Sequence, residues 1–179
     1  ASPPHLGPND VNHIPNTPHT VTSATRFHTS VFEATPSISP YLVCFVVGRY
    51  HCVEASTKNK MLTRVYVPIA EPRESAWFAL DLFKKSIEYF EEFFGYSLPM
   101  TKMDIVALPR FDYLGMENWG LLTFAKDHCV VTEKSTLERR QRIARLIGHE
   151  VAHQWFGNTV SLQWWTFIWL KEGLARFLE

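Results

Sequence analysis

The segment Gly148-His149-Glu150-Val151-Ala152-His153-Gln154-Trp155-Phe156-Gly157-Asn158, with Glu172 beyond it in Lys171-Glu172-Gly173, decides the reading of this chain. Ile143, Leu146, Ile147 and Val151 recur at helical spacing into it, and Gly157 or Asn158 offers a left-handed stop. On a helix, positions four apart lie one turn above each other on one face. His149 and His153 can therefore present two imidazole nitrogens to one metal ion. Glu150 is displaced by about 100° around the helix, which sets it beside that metal, where a carboxylate can hold a water molecule. Zinc favours four-coordinate nitrogen, sulfur or carboxylate sites, and a catalytic site keeps one position open. The metal acidifies water, and Glu150 can take the proton and later deliver it to a leaving amine.

The third ligand needs a separate element. Residues 169–179 read as a second helix, with Leu170, Leu174, Phe177 and Leu178 as its apolar stripe. Glu172 on that helix is the candidate third ligand, so His149, His153 and Glu172 form the metal set for a single zinc. Glu179 shares a face with Glu172. It is either a partner for a ligand histidine's other nitrogen or an ordinary helix-surface carboxylate. A random chain with eight histidines shows H-E-x-x-H on the order of one time in a hundred, so the pentapeptide alone is suggestive and the downstream glutamate strengthens it.

Gly115-Met116-Glu117-Asn118 lies ahead of the zinc helix and leads into a strand-like run, Leu121-Leu122-Thr123-Phe124. An exposed edge strand can pair with an extended peptide through main-chain hydrogen bonds. A fixed carboxylate at its end, Glu117, can bind a free α-amino group and so make a peptidase count from the amino terminus. On these residues alone, a turn with a surface glutamate is the simpler reading.

Taken together, residues 149–158 (HEVAHQWFGN), 163–172 (QWWTFIWLKE) and 115–120 (GMENWG) resemble the zinc aminopeptidases of the aminopeptidase-N and puromycin-sensitive aminopeptidase family, a gluzincin group with leukotriene hydrolase as a more distant relative. Residues 39–48 resemble the strand that closes the family's N-terminal β domain, and the resemblance extends over about residues 27–179. It implies zinc on His149, His153 and Glu172, Glu150 as base and acid, and Glu117 as the anchor of the substrate amino terminus. Gly115, Met116 and Asn118 would belong to the substrate-binding strand. The implied activity is a zinc metalloaminopeptidase acting on peptides with a free N-terminus. The implied partners within the full-length protein are the rest of the catalytic domain and a helical C-terminal domain. Two alternatives stand beside it: a leukotriene-hydrolase-like epoxide hydrolase with aminopeptidase activity, and a catalytically incomplete fragment that serves as a zinc-binding or interaction module.

Three positions depart from the family pattern. Leu114 and Gly115 stand where Gly-Ala is usual, Lys171 replaces the asparagine before the glutamate ligand, and Leu174-Ala175 replaces Phe-Ala. Leu114 adds bulk beside the first substrate pocket. A cation at Lys171 competes electrostatically at the metal ligand unless it points to solvent. The family's oxyanion-stabilising tyrosine lies downstream of the ligand glutamate. None of Tyr41, Tyr50, Tyr66, Tyr89, Tyr96 and Tyr113 matches its motif, so these 179 residues alone are expected to be inactive.

The rest of the sequence fits a packed α+β protein. A hydrophobic fraction of 46% suffices for a core, and a formal net charge of zero gives no reason to expect nucleic acid or an acidic membrane as partner. No apolar run is long enough to span a membrane. Three cysteines without metal-type spacing favour a reducing, cytoplasmic setting; the alternative is a membrane-anchored ectodomain whose anchor lies outside this chain. The proline-rich residues 1–22 read as loop or disorder. Residues 26–35 and 41–56 read as strands, the second apolar on both faces and so buried. We expect residues 23–58 to end an all-β N-terminal domain, with a boundary near residues 57–60. Residues 59–179 would then form the first half of a thermolysin-like zinc metallopeptidase domain. Within it we expect strands over 61–69, 103–108, 121–124 and 129–132, and an amphipathic helix over 75–95 with Lys84, Lys85, Glu88, Glu91 and Glu92 on its solvated face. Trp164 and Trp165 are expected to pack between elements.

Overall fold

The computed structural model describes residues 29, 31, 32 and 34–179, and the elements below all lie within the compact unit Ser37–Glu179. The loop expected over 1–22 falls outside the described residues. So does part of the strand expected over 26–35, whose described positions carry no strand.

One mixed sheet holds five strands: β1 (Tyr50–Ser56), β2 (Leu62–Pro68), β3 (Lys102–Leu108), β4 (Gly115–Met116) and β5 (Leu121–Ala125), in the order β1-β2-β3-β5-β4. The central strands β2, β3 and β5 run parallel, and β1 and β4 are antiparallel edges. Parallel neighbours cannot be joined by a tight turn, and α1 (Trp77–Phe94) supplies the crossover from β2 to β3. β3 is buried from Met103 to Ala107, as a central strand covered on both faces must be. Two further helices follow, α2 (Leu137–Ala152) and α3 (Ile168–Leu178), with α2 packed against α1, α3 and β4.

Helix α1 is set by its periodicity. Leu80, Phe83, Ile87 and Phe90 fall on one buried face, and the helix stops at Gly95, whose φ of 60° suits a residue without a Cβ. Glu91 does not join the solvated face predicted for it. It is buried and accepts a 2.8 Å hydrogen bond from Asn59 Nδ2. In α2, Thr136 is the N-cap, its hydroxyl oxygen accepting from the Arg139 N–H at 3.2 Å. Ile143, Ile147 and Val151 bury the core-facing side. The helix ends at Ala152, earlier than the predicted stop, and Gly157 takes its positive φ of 116° within the turn that follows.

Five local expectations are corrected. The strand predicted over residues 41–56 begins only at Tyr50; a 3₁₀ turn at Pro40–Leu42 and irregular chain precede it. Val43, Phe45 and Val47, predicted to be buried, are 68%, 86% and 92% exposed. Among the described residues no strand pairs with them, and a strand needs a partner for its main-chain groups. Residues 129–132 are not a strand either: Cys129 and Val130 donate their N–H groups to Lys126 O at the end of a 3₁₀ turn, and Val131 donates to Ser75 O. Their apolar side chains are buried through this local turn. Trp164 and Trp165 are exposed. In α3 the predicted apolar stripe is not the inward face, because Lys171 and Ala175 are buried while Leu170 and Phe177 are exposed. The stretch around residues 57–60, predicted as a domain boundary, is the turn of the β1–β2 hairpin, so the sheet runs across it.

Phe83 and Phe124 are among the largest fully buried side chains. Phe83→Ala is expected to destabilise the protein by about 3–5 kcal/mol, read as a lowered urea midpoint. An unchanged midpoint would contradict this core.

Candidate active site

The last turn of α2, the first turns of α3 and the edge strand β4 meet at one place. His149 lies in the last turn of α2 and His153 directly follows it. Their Nε2 atoms are 3.1 Å apart. Glu172 Oε2 on α3 is 3.5 Å from each of them. The far side of each ring is also engaged. His153 Nδ1 lies 2.9 Å from the Phe156 carbonyl, which fixes the proton on Nδ1 and leaves the Nε2 lone pair facing the cluster. His149 Nδ1 is 3.4 Å from Glu179 Oε2, so Glu179 takes the partner position and is not a free surface carboxylate.

Three donor atoms on a tetrahedral ion with bonds of about 2.0–2.1 Å stand about 3.4 Å from one another. The observed triangle of 3.1, 3.5 and 3.5 Å has that size, and two imidazoles with a carboxylate are a zinc donor set. Glu117, Glu150 and His153 also converge, but Glu117 is committed to a lysine, as described below.

Glu150 is buried beside the triangle, and its Oε2 has no hydrogen-bond partner among the described residues. Such an orphaned oxygen is what a water-holding base requires. Burial pushes its carboxyl up to about 8; Glu117 and Glu172 add to this, while His153 and Lys171 oppose it. Gly115 in β4 makes room for it. A Cβ at Gly115 would fall 2.8 Å from Glu150 Cδ. β4 is the outermost strand, paired to β5 through Gly115↔Phe124 and Met116↔Thr123. Its other edge has no strand partner among the described residues. Leu114, just outside it, is exposed.

Glu117 is held on both its main chain and its side chain. Its carbonyl accepts from Asn158 Nδ2 at 2.8 Å and from Gln154 Nε2 at 3.1 Å. Its carboxylate forms an ion pair with Lys171 Nζ and accepts from the Tyr41 hydroxyl at 3.4 Å. Lys171 does not turn to solvent. Its side chain is 5% exposed, with Nζ also 3.1 Å from Glu172 Oε1 and 5.2 Å from the centre of the Tyr41 ring. Burial alone would lower the Lys171 ammonium's pKa, but the Glu117 carboxylate outweighs it and raises it. The His149 and His153 rings hold the Glu172 carboxyl well below the usual carboxylate range.

Of the predicted site residues, the structure brings His149, Glu150, His153, Glu172, Glu117 and Gly115 together, with Met116 next to Gly115 on the strand. The Asn118 side chain stands apart: its Oδ1 accepts from Thr123 Oγ1 at 3.1 Å and its Nδ2 donates to Leu42 O at 3.4 Å. Sequence reasoning misses Tyr41, Gln154 and Asn158. Gln154 and Asn158 lie inside the histidine motif, where a buried amide after the second histidine is a usable signal. Tyr41 lies 76 positions from Glu117, and no local pattern points to it.

Residues 78–179 match the model of the peptidase family M1 domain. The chain is 41% identical over 149 residues to a protein of Caenorhabditis elegans described as puromycin-sensitive aminopeptidase, a match covering 83% of this chain and 16% of the relative. It is 40% identical over 148 residues to aminopeptidase N of Lactococcus lactis, covering 83% and 17%. It is 42% identical over 151 residues to Saccharomyces cerevisiae aminopeptidase 2, mitochondrial, covering 84% and 16%. The chain thus spans about one sixth of the length of these relatives.

Gly157 combines a φ of 116° with a position where a Cβ would come within 3.0 Å of Lys171 Cδ. Gly157→Ala is expected to cost about 1–3 kcal/mol from the backbone alone, seen as a lower melting temperature. A wild-type melting temperature would contradict this packing.

Proposed function

The chain belongs to peptidase family M1, and from that premise we propose that the protein is a zinc-dependent aminopeptidase that removes residues from the amino terminus of peptides. The observation that carries this is the triangle of His149 Nε2, His153 Nε2 and Glu172 Oε2, with the unpartnered Glu150 Oε2 beside it. His149, His153 and Glu172 would hold the metal, with Phe156 O and Glu179 orienting the two rings. Zinc, when bound, polarises the scissile carbonyl and lowers the pKa of water. Glu150 takes the water's proton and passes it to the leaving amine. The free edge of Gly115 and Met116 pairs with the substrate main chain, and Glu117 receives the amino terminus. The sheet with α1 to α3 is the first half of a thermolysin-like catalytic domain. No helix among the described residues is long and apolar enough to cross a membrane. The three free cysteines support a reducing compartment, the cytoplasm.

The test uses the protein at its full encoded length. It is expected to bind about one equivalent of zinc and to lose it on His153→Ala, measured by atomic emission. Glu150→Gln should keep the metal and lower kcat on aminoacyl-fluorophore substrates by at least ~100-fold. A Glu150→Gln variant with wild-type kcat would overturn the assignment, as would a His153→Ala variant with full metal content.

A further inference from the structure

Lys171 carries the same chemical group as a peptide's amino terminus. Its primary ammonium lies against Glu117 Oε1, the carboxylate that the aminopeptidase reading reserves for the substrate. The contact is built, not incidental. Both side chains are almost wholly buried, and the ammonium is enclosed by Glu117, by Glu172 Oε1 at 3.1 Å and by the face of Tyr41 at 5.2 Å. Its aliphatic stem runs past Gly157, where a Cβ would crowd Cδ, while Gln154 and Asn158 donate to the Glu117 carbonyl.

Resting on that reading, we propose that Lys171 is an internal competitor for the substrate's N-terminal ammonium at Glu117, and so the residue that determines how strongly this site favours a free amino terminus. Two ammonium groups cannot share one buried carboxylate without like-charge repulsion. A peptide with a free amino terminus binds only by displacing Lys171, which keeps Glu172 as its second partner. A ligand whose amino group is acylated brings no charge and meets no such competition. Lys171 therefore narrows the preference for free over blocked amino termini. It acts through Glu117 as a specificity determinant and takes no part in bond breaking.

The test titrates leucinamide and Nα-acetylleucinamide into the zinc-replete, full-length protein by calorimetry. Lys171→Asn and Lys171→Met are each expected to tighten leucinamide by at least ~10-fold and to leave Nα-acetylleucinamide within about twofold. Adding Glu117→Gln to either variant should abolish the gain, which a general loosening of the pocket would not do. A second measurement needs no substitution. In the wild-type protein, the lysine ¹⁵Nζ resonance of a buried, exchange-protected ammonium should disappear on adding leucinamide and persist with Nα-acetylleucinamide. Unchanged or weaker leucinamide binding in the folded variants overturns the proposal, and so does a protected resonance that survives saturating leucinamide. These results differ from failure of the aminopeptidase reading itself, which would show as absent zinc or as hydrolysis indifferent to Glu150.

Discussion

Two imidazole nitrogens 3.1 Å apart are the constraint on which the site depends. His153 places its proton on Nδ1 toward the Phe156 carbonyl, so its Nε2 lone pair points at His149. Two lone pairs at that separation repel unless a proton or a cation lies between them. Glu172 adds a carboxylate oxygen 3.5 Å from both, which deepens the demand for positive charge at the centre of the triangle. The helix register creates the pair, because positions four apart at the end of α2 stand one above the other. The approach of α3 then closes the triangle. The end of α2 and the docking of α3 therefore shape this cluster as much as its three side chains do.

Much of this was legible in the sequence because it is local. The H-E-x-x-H spacing fixes His149, Glu150 and His153 within one turn of each other, and a glutamate follows on the next α-helix of the chain. The α1 face and the strands β2, β3 and β5 follow from apolar periodicity that the core then uses. What was not legible depends on neighbours far along the chain. Residues 43–47 have the composition of a buried strand, but a strand exists only with a partner, and composition does not supply one. Cys129, Val130 and Val131 are equally apolar, yet a local turn claims their N–H groups. Glu91 reads as a solvated helix residue until Asn59, 32 positions away, is seen to bind it. The Asn118 amide reads as part of a binding strand until Thr123 and Leu42 are found on its two ends.

Lys171 shows the same limit most sharply. Adjacent in sequence to a metal-ligand candidate, it invites the reading that it turns away to water. The opposite conformation is adopted because three features far apart in sequence make a place for it: a carboxylate on the loop after β4, a tyrosine ring near the start of the described unit, and a glycine after α2. Removing a lysine from water is costly unless its charge is paired, and here two carboxylates pair it.

That pairing also explains why α3 presents the face it does. Its most apolar residues include Leu170 and Phe177, and both are exposed, whereas Lys171 and Ala175 are buried. The ion pairs from Lys171 to Glu117 and Glu172, with the reach of Glu172 to the two histidines, fix which face of α3 turns inward. The charge balance supports this: Glu117 and Glu172 lie close together, and Lys171 is the cation that faces both of them. Replacing it with a neutral residue therefore leaves Glu117 and Glu172 without the cation they share.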